Sequence, residues 1–183
     1  FNCSNNAMRV SEMDIRSRCQ VRGVVCLQGT MREALAKRES DDRELKEYAT
    51  MVLGLKGKCA VVVADSISNS VCVFGPARIV VQGYDLVRGH LSFTLHTFMG
   101  SITVKATDGQ ALTSFKGFPS MVESLDVSGN QLATLEGCPR VIRSLNVSHN
   151  CLTSLVGGPT EFIEEYRCEG KLFTDLNGSP RCV

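Results

Sequence analysis

Two stretches of this chain, twenty residues apart, share one pattern. Val122, Leu125, Val127, Asn130 and Leu132 recur as Ile142, Leu145, Val147, Asn150 and Leu152. A second phrase follows each copy. Leu112 to Pro119, Leu132 to Pro139 and Leu152 to Pro159 all read LxxLxGxP, with Phe115 replacing one leucine, and Phe173 to Pro180 repeats it after twenty-one residues. A fixed period of this length implies a solenoid, because one coil cannot bury its own apolar face and becomes stable only by stacking on another. Solenoids of this kind mostly present surfaces for binding.

Each position in the repeat has a mechanical role. Leu125 and Leu145 lie in short strands that point them inward, while the residues between face the outside of a sheet. Asn130 and Asn150 fall where the chain leaves the strand. An amide there can bond backbone groups that have no sheet or helix partner. Gly137 with Pro139, and Gly157 with Pro159, then bend the returning segment. A twenty-residue coil leaves no room for a helix on the return, so extended or polyproline-like segments are expected. The outer copies are degenerate, as capping coils are. Ile163, Tyr166 and Cys168 keep the inward pattern but Lys171 replaces the Asn, and Ile102 to Gln110 fits only with a one-residue slip. Phe1 to Met8 aligns without a gap to Leu145 to Leu152, sharing Asn2, Ser4 and Asn6. This segment is either a partial repeat or a cloning remnant ahead of Met8, and the sequence leaves both open.

These phrases resemble the leucine-rich repeats of the short bacterial and viral type. One likeness is to the arrays of secreted effectors of Gram-negative pathogens, with their LTxLP-like phrase. The other is to the LTSLxGxP…FxCSxN repeats of tailed-phage and large-virus proteins, to which Leu152 to Pro159 and Phe1 to Asn6 are similar. The resemblance implies a leucine-rich-repeat solenoid over 102–183 and a non-enzymatic role as an interaction or scaffold protein, in its viral form a virion-associated or assembly component. The alternative it implies is a host-directed effector or inhibitor that grips one host protein. Effector arrays are often fused to a ubiquitin-ligase domain, but no such domain follows the repeats here, so that activity is not carried over.

Residues 9–101 lack the repeat and read as an α+β region of one or two helices and several strands. Gln20 to Leu27 is a candidate strand. Thr30 with Glu33 forms a capping-box pattern opening a helix over Met31 to Arg38, and Ser40-Asp41-Asp42 offers a second start. Leu45, Tyr48, Ala49 and Val52 recur at helical spacing up to Gly54 or Gly57. Cys59 to Ala64, Ser70 to Phe74, Arg78 to Gln82 and Leu91 to Phe98 then read as strands separated by glycine turns. They either extend the solenoid's sheet or form a small domain before it. The overall class is α+β, a short C-terminal solenoid joined to this N-terminal region.

Composition narrows the function classes. With 20 basic and 19 acidic side chains the net charge is +1, which gives no strong signal for nucleic acid. No apolar run reaches 18 residues, so no membrane span is expected, and the first residues do not resemble a signal peptide. The 9 cysteines (Cys3, Cys19, Cys26, Cys59, Cys72, Cys138, Cys151, Cys168 and Cys182) form no CxxC pair and are odd in number. Reduced thiols in an intracellular or virion protein are the expectation. Neither Cys19 with Cys26 nor His90 with His96 has finger-type zinc spacing, so no metal or cofactor is expected.

No catalytic motif stands out. His149, with Asp126 one coil away, has no nucleophile elbow to serve, Cys168 takes an inward packing slot, and the segment Gly54 to Lys58 lacks phosphate-loop order. The expected site is a protein-binding strand face carrying Glu123, Asp126 and Ser128, then Arg143, Asn146 and Ser148, then Glu165 and Arg167. It is polar, mixed in charge and free of aromatic anchors. The expected partners are proteins: copies of this chain, other virion proteins or a host protein.

Overall fold

The computed structural model describes residues 22–55 (backbone alone for 22–30), 60–75, 77–96, 98, 100–159, 164–170 and 177–178. Phe1 to Met8, Lys171 and most of the fourth LxxLxGxP copy lie outside these residues. Two compact units make up the chain, Phe1–Ser40 and Asp41–Val183. The class is α+β, one N-terminal helix and a β-solenoid of stacked coils.

A single 31-residue helix, α1, spans Arg22–Val52 and crosses the unit boundary. The strand expected over Gln20 to Leu27 is therefore corrected: from Arg22 onward these residues are helical. Two valines in a helix-compatible stretch do not outweigh the Ala, Glu, Lys, Arg and Leu residues that follow, and extending a helix is easier than nucleating one. The two expected helix starts, Thr30 and Ser40, lie inside α1. Capping residues act only where the preceding chain has left the helix, and here it has not. In the first unit, residues 31–40 are exposed. In the second, Ala49, Val52 and Leu53 are buried and Leu45 and Tyr48 pack against the core, as the helical spacing predicts. Gly54, at φ +58°, ends the helix. Its N–H donates to Met51 O at 3.1 Å and that of Leu55 to Thr50 O at 3.3 Å, the paired bonds of a Schellman stop.

Among the described residues eight strands follow: β1 Val61–Asp65, β2 Ser70–Phe74, β3 Ala77–Gln82, β4 Thr94–His96, β5 Gly100–Lys105, β6 Met121–Asp126, β7 Val141–Asn146 and β8 Glu165–Arg167. They form two sheets. A five-stranded parallel sheet has the order β3-β5-β6-β7-β8, and a three-stranded sheet the order β1-β2-β4. The choice left open by the sequence is thus resolved both ways. β3 extends the solenoid sheet, while β1 and β2 form a separate antiparallel hairpin against β4. Of the strand expected over Leu91 to Phe98, Thr94–His96 is strand, Leu91 to Phe93 are not, and Thr97 lies outside the described residues. The lead-in is held otherwise, with Ser92 Oγ donating to Tyr48 Oη at 3.2 Å and Ser92 O accepting from Asn69 Nδ2 at 2.8 Å.

Register lines run straight through the parallel sheet. Ile79 pairs with Ile102, Ile102 with Leu125, Leu125 with Leu145, and Leu145 with Tyr166. The strand of the Ile102 coil needs no slip. Its extra residues come after the strand, where Thr107 and Gln110 bridge a tight turn through Asp108 and Gly109 at φ +52° and +77°. Val122, Leu125 and Val127 are buried from β6 and the turn after it, and Ile142, Leu145 and Val147 from β7 and the turn after it. The return limbs bury Leu112, Phe115, Leu132, Leu135, Leu152 and Leu155 and contain neither helix nor strand over 111–119, 131–139 and 151–159. Each such side chain contributes about 1.5–3 kcal/mol by leaving water.

Asn130 and Asn150 join the coils. Asn130 Oδ1 accepts from Leu112 N–H at 2.8 Å, and its Nδ2 donates to Val104 O and Val127 O, both at 3.0 Å. Asn150 repeats the arrangement one coil on, with Leu132 N–H at 3.0 Å and Val127 O and Val147 O at 2.9 Å. Each amide satisfies its own coil and the one before it. In the β5 coil Thr107 takes this place, its Oγ1 accepting from Gly83 N–H at 3.2 Å. The glycine of LxxLxGxP has a different reason. Gly117 and Gly157 sit at φ +89° and +87°, and a Cβ on Gly117 would lie 2.5 Å from Phe93 O in the preceding coil. Gly129, also left-handed at φ +67°, has open space around it.

Two outcomes follow in denaturant unfolding. Asn150→Ala strands the Leu132 N–H and Val147 O, Val127 O keeping its bond from Asn130, and should cost about 2–4 kcal/mol; a loss below about 1 kcal/mol would remove the amide from its joining role. Gly129→Ala carries only left-handed strain, about 1–2 kcal/mol, whereas Gly117→Ala adds a backbone clash and should cost clearly more. Equal losses would show that stacking does not need the bare Cα.

Candidate strand-face site

Coil stacking turns the outward residues of β3 and β5–β8 into rows perpendicular to the strands. In one row Ser101 pairs with Ser124 and Ser124 with Ser144, while Arg78 flanks Ser101 and Glu165 flanks Ser144. In another, Val80, Thr103, Asp126, Asn146 and Arg167 are successive partners. A groove of about 520 Å³ follows the first row across all five strands. Ala77 and Gly100, register partners, line its β3 end. A smaller hollow of about 250 Å³ lies beside it between exposed Met121 and Val141.

The residues expected on this face divide into three groups. Glu123, Arg143, Glu165 and Arg167 are exposed. Arg143 bridges two acids, with Glu123 at 3.5 Å and Glu164 at 3.3 Å. Arg167 Nε donates to Glu165 Oε1 at 2.8 Å, and Ser144 Oγ to Glu165 Oε2 at 3.2 Å. The Arg167 and Ser144 hydrogen bonds, together with the Arg167 charge, hold the Glu165 carboxyl below its ordinary value. Asp126 and Asn146 are half-buried and turned towards the backbone, accepting from the N–H of Ser128 at 3.0 Å and of Ser148 at 3.1 Å. These are Asx turns that shape the strand exits. Ser128 is half-buried as well.

Ser148 is a correction. It was expected on the binding face, but it is buried at 5% exposure and its Oγ accepts from Glu169 N–H at 3.1 Å. The next coil covers it. The structural positions lie as follows: Leu125, Leu145, Asn130, Asn150, Pro139 and Pro159 are buried, while Gly137 and Gly157 are exposed at the bends. Sequence reasoning missed Arg78, Ser101 and Thr103, because the face was read only from β6 onward. The polar–apolar alternation Ser101-Ile102-Thr103-Val104 was the available signal for β5, whereas the apolar run Ile79-Val80-Val81 carries none for Arg78.

The groups weighed for chemistry are dispersed. His149 occupies a left-handed turn at φ +55°, where Gly129 stands one coil earlier, and its N–H donates to Glu169 O at 2.6 Å. His90 Nδ1 lies 3.3 Å from Arg88 O. Cys168 packs half-buried against the core, and burial, then the Glu169 charge, pushes its thiol up. Burial pushes the Tyr166 hydroxyl up too, and its oxygen has no hydrogen-bond partner among the described residues. Among the described residues no group of three His, Cys, Asp or Glu could hold a metal, and no helix is long and apolar enough to cross a membrane. Cys72, Cys138, Cys151 and Cys168 are free thiols.

Burial pushes the Cys138 thiol up to about 12, whereas Cys151 is exposed. A thiolate is the reactive form, so mass-spectrometric mapping of disulfide exchange at pH 8 should find Cys151 modified about a hundredfold faster than Cys138, which needs local opening. Similar rates would contradict the packing of the Cys138 return limb. Compared with family models, with curated proteins and with solved structures, the chain matches none.

Proposed function

We propose that the solenoid is a leucine-rich-repeat array and that the chain is a non-enzymatic protein-binding scaffold, with the sheet of β3 and β5–β8 as its contact surface. The observation that carries this reading is the groove crossing all five strands, lined by outward Ser, Arg and Glu side chains whose backbone is held rigid by stacking. A rigid, extended polar surface lowers the ordering cost of binding. The conserved geometry of successive coils also favours recognition of a long partner segment over enclosure of a small substrate. The likeness of Leu152 to Pro159 to viral repeats supports a part in assembly, the partner being another structural protein or another copy of this chain.

The test places a photo-crosslinking amino acid at Ser124 or Ser144 on the strand face and, as control, at Thr134 or Thr153 on the return limbs. Irradiation in the native source should give a discrete protein adduct from the first pair and not from the second. Adducts of equal yield from both faces, or none from either, would overturn the placement.

A further inference from the structure

The groove is not uniform along its length. Ser101, Ser124 and Ser144 occupy its middle, Arg78 stands exposed at one end, and Glu164 and Glu165 stand exposed at the other. Arg78 makes no ion pair or hydrogen bond among the described residues. From β6 to β8 three carboxylates (Glu123, Glu164 and Glu165) share two guanidinium groups (Arg143 and Arg167), so the acids are in excess by one. The surface is therefore positive at β3 and net negative towards β8, with serine hydroxyls and the mutually neutralised Glu123–Arg143 pair between.

Resting on the scaffold reading above, we propose that this groove takes an extended polypeptide segment lying across the strands, with a carboxylate against Arg78 and a Lys or Arg side chain against Glu164 and Glu165. Charge complementarity argues for that occupant. The carboxylates at β8 repel a phosphate backbone, which excludes nucleic acid along the full groove. The groove holds no aromatic ring on which a sugar or base would stack. Serine hydroxyls donate and accept equally well and suit the alternating N–H and C=O groups of an extended chain.

The spacing sets the register of the ligand. Four interstrand steps of about 4.8 Å separate Arg78 from Glu165, a span of roughly 19 Å. An extended chain advances about 3.3 Å per residue, so the two charges belong about six residues apart. Six is an even number, which puts both side chains on the same side of the segment; five puts them on opposite sides.

The test is an ¹⁵N chemical-shift titration of the full chain at low ionic strength with end-capped peptides of alternating Thr and Val. Each carries one Asp and one Lys, separated by six, five or two residues. The separation-six peptide should bind at least about fivefold more tightly than the other two and shift amides of β3 and β5–β8. Arg78→Glu, at an exposed position, should abolish that advantage while leaving the spectrum folded. Equal affinity for the three peptides, an advantage that survives Arg78→Glu, or no shift with any of them would overturn the proposal. Failure of the peptides alongside a discrete adduct at Ser124 would leave the scaffold standing with a different mode of recognition; failure of both would remove both.

Discussion

The side-chain amide of Asn130, repeated at Asn150, is the interaction on which the coil stack depends. Where the chain leaves each strand, backbone groups turn away from the sheet and have no helix to enter. A buried amide or carbonyl left without a partner costs about 1–3 kcal/mol. One Asn side chain meets several such groups together, binding its own coil through Val127 O or Val147 O and the preceding coil through Leu112 N–H or Leu132 N–H. The bonds therefore fix how one coil sits on the next. The pairing of Leu125 with Leu145, and with it the alignment of Ser124 on Ser144, is the outward expression of that fixed offset.

The proposed surface follows from the same constraint. In a solenoid the partners of a residue lie in the coils before and after it rather than along the chain. Arg143 finds its acids on β6 and beside β8, and Ser144 finds Glu165 on β8. These exposed ion pairs add little stability. Their effect is local order, since each long side chain is held by a neighbour in the next coil. Asp126 and Asn146, by contrast, spend their oxygens on the strand exits, so the outward polar residues serve two separate purposes.

The repeats made much of this legible. The spacing of Leu125, Val127 and Asn130 against Leu145, Val147 and Asn150 implies coils, an inward apolar row and an amide between coils, because those roles depend on local pattern. The N-terminal region was harder for a definite reason. Thr30 and Ser40 have the side chains of helix starts, but a cap is a property of the chain before it, and that chain is helical. β3 reads as an ordinary apolar strand, and its place in the solenoid sheet is set by pairing with β5, which no residue of β3 encodes alone. Ser148 looks like Ser128 in sequence. Only the coil that follows, through Glu169, buries it.

The tight turn from Thr107 to Gln110 changes how the period should be understood. Ile102 and Leu125 are 23 residues apart, whereas Leu125 and Leu145 are 20 apart, yet both pairs sit in register. The three extra residues are absorbed by the turn Thr107 to Gln110, whose Gly109 tip has open space around it, and one coil earlier the bridge Val87 to His90 forms a similar turn, Gly89 O accepting from Thr113 N–H of the next coil at 2.8 Å. Such loops uncouple contour length from axial rise: every coil advances the stack by one strand spacing whatever its residue count. Evolution can thus lengthen, decorate or shorten a coil at this corner without moving any coil beyond it, and a tally of residues is a poor ruler for the length of the array.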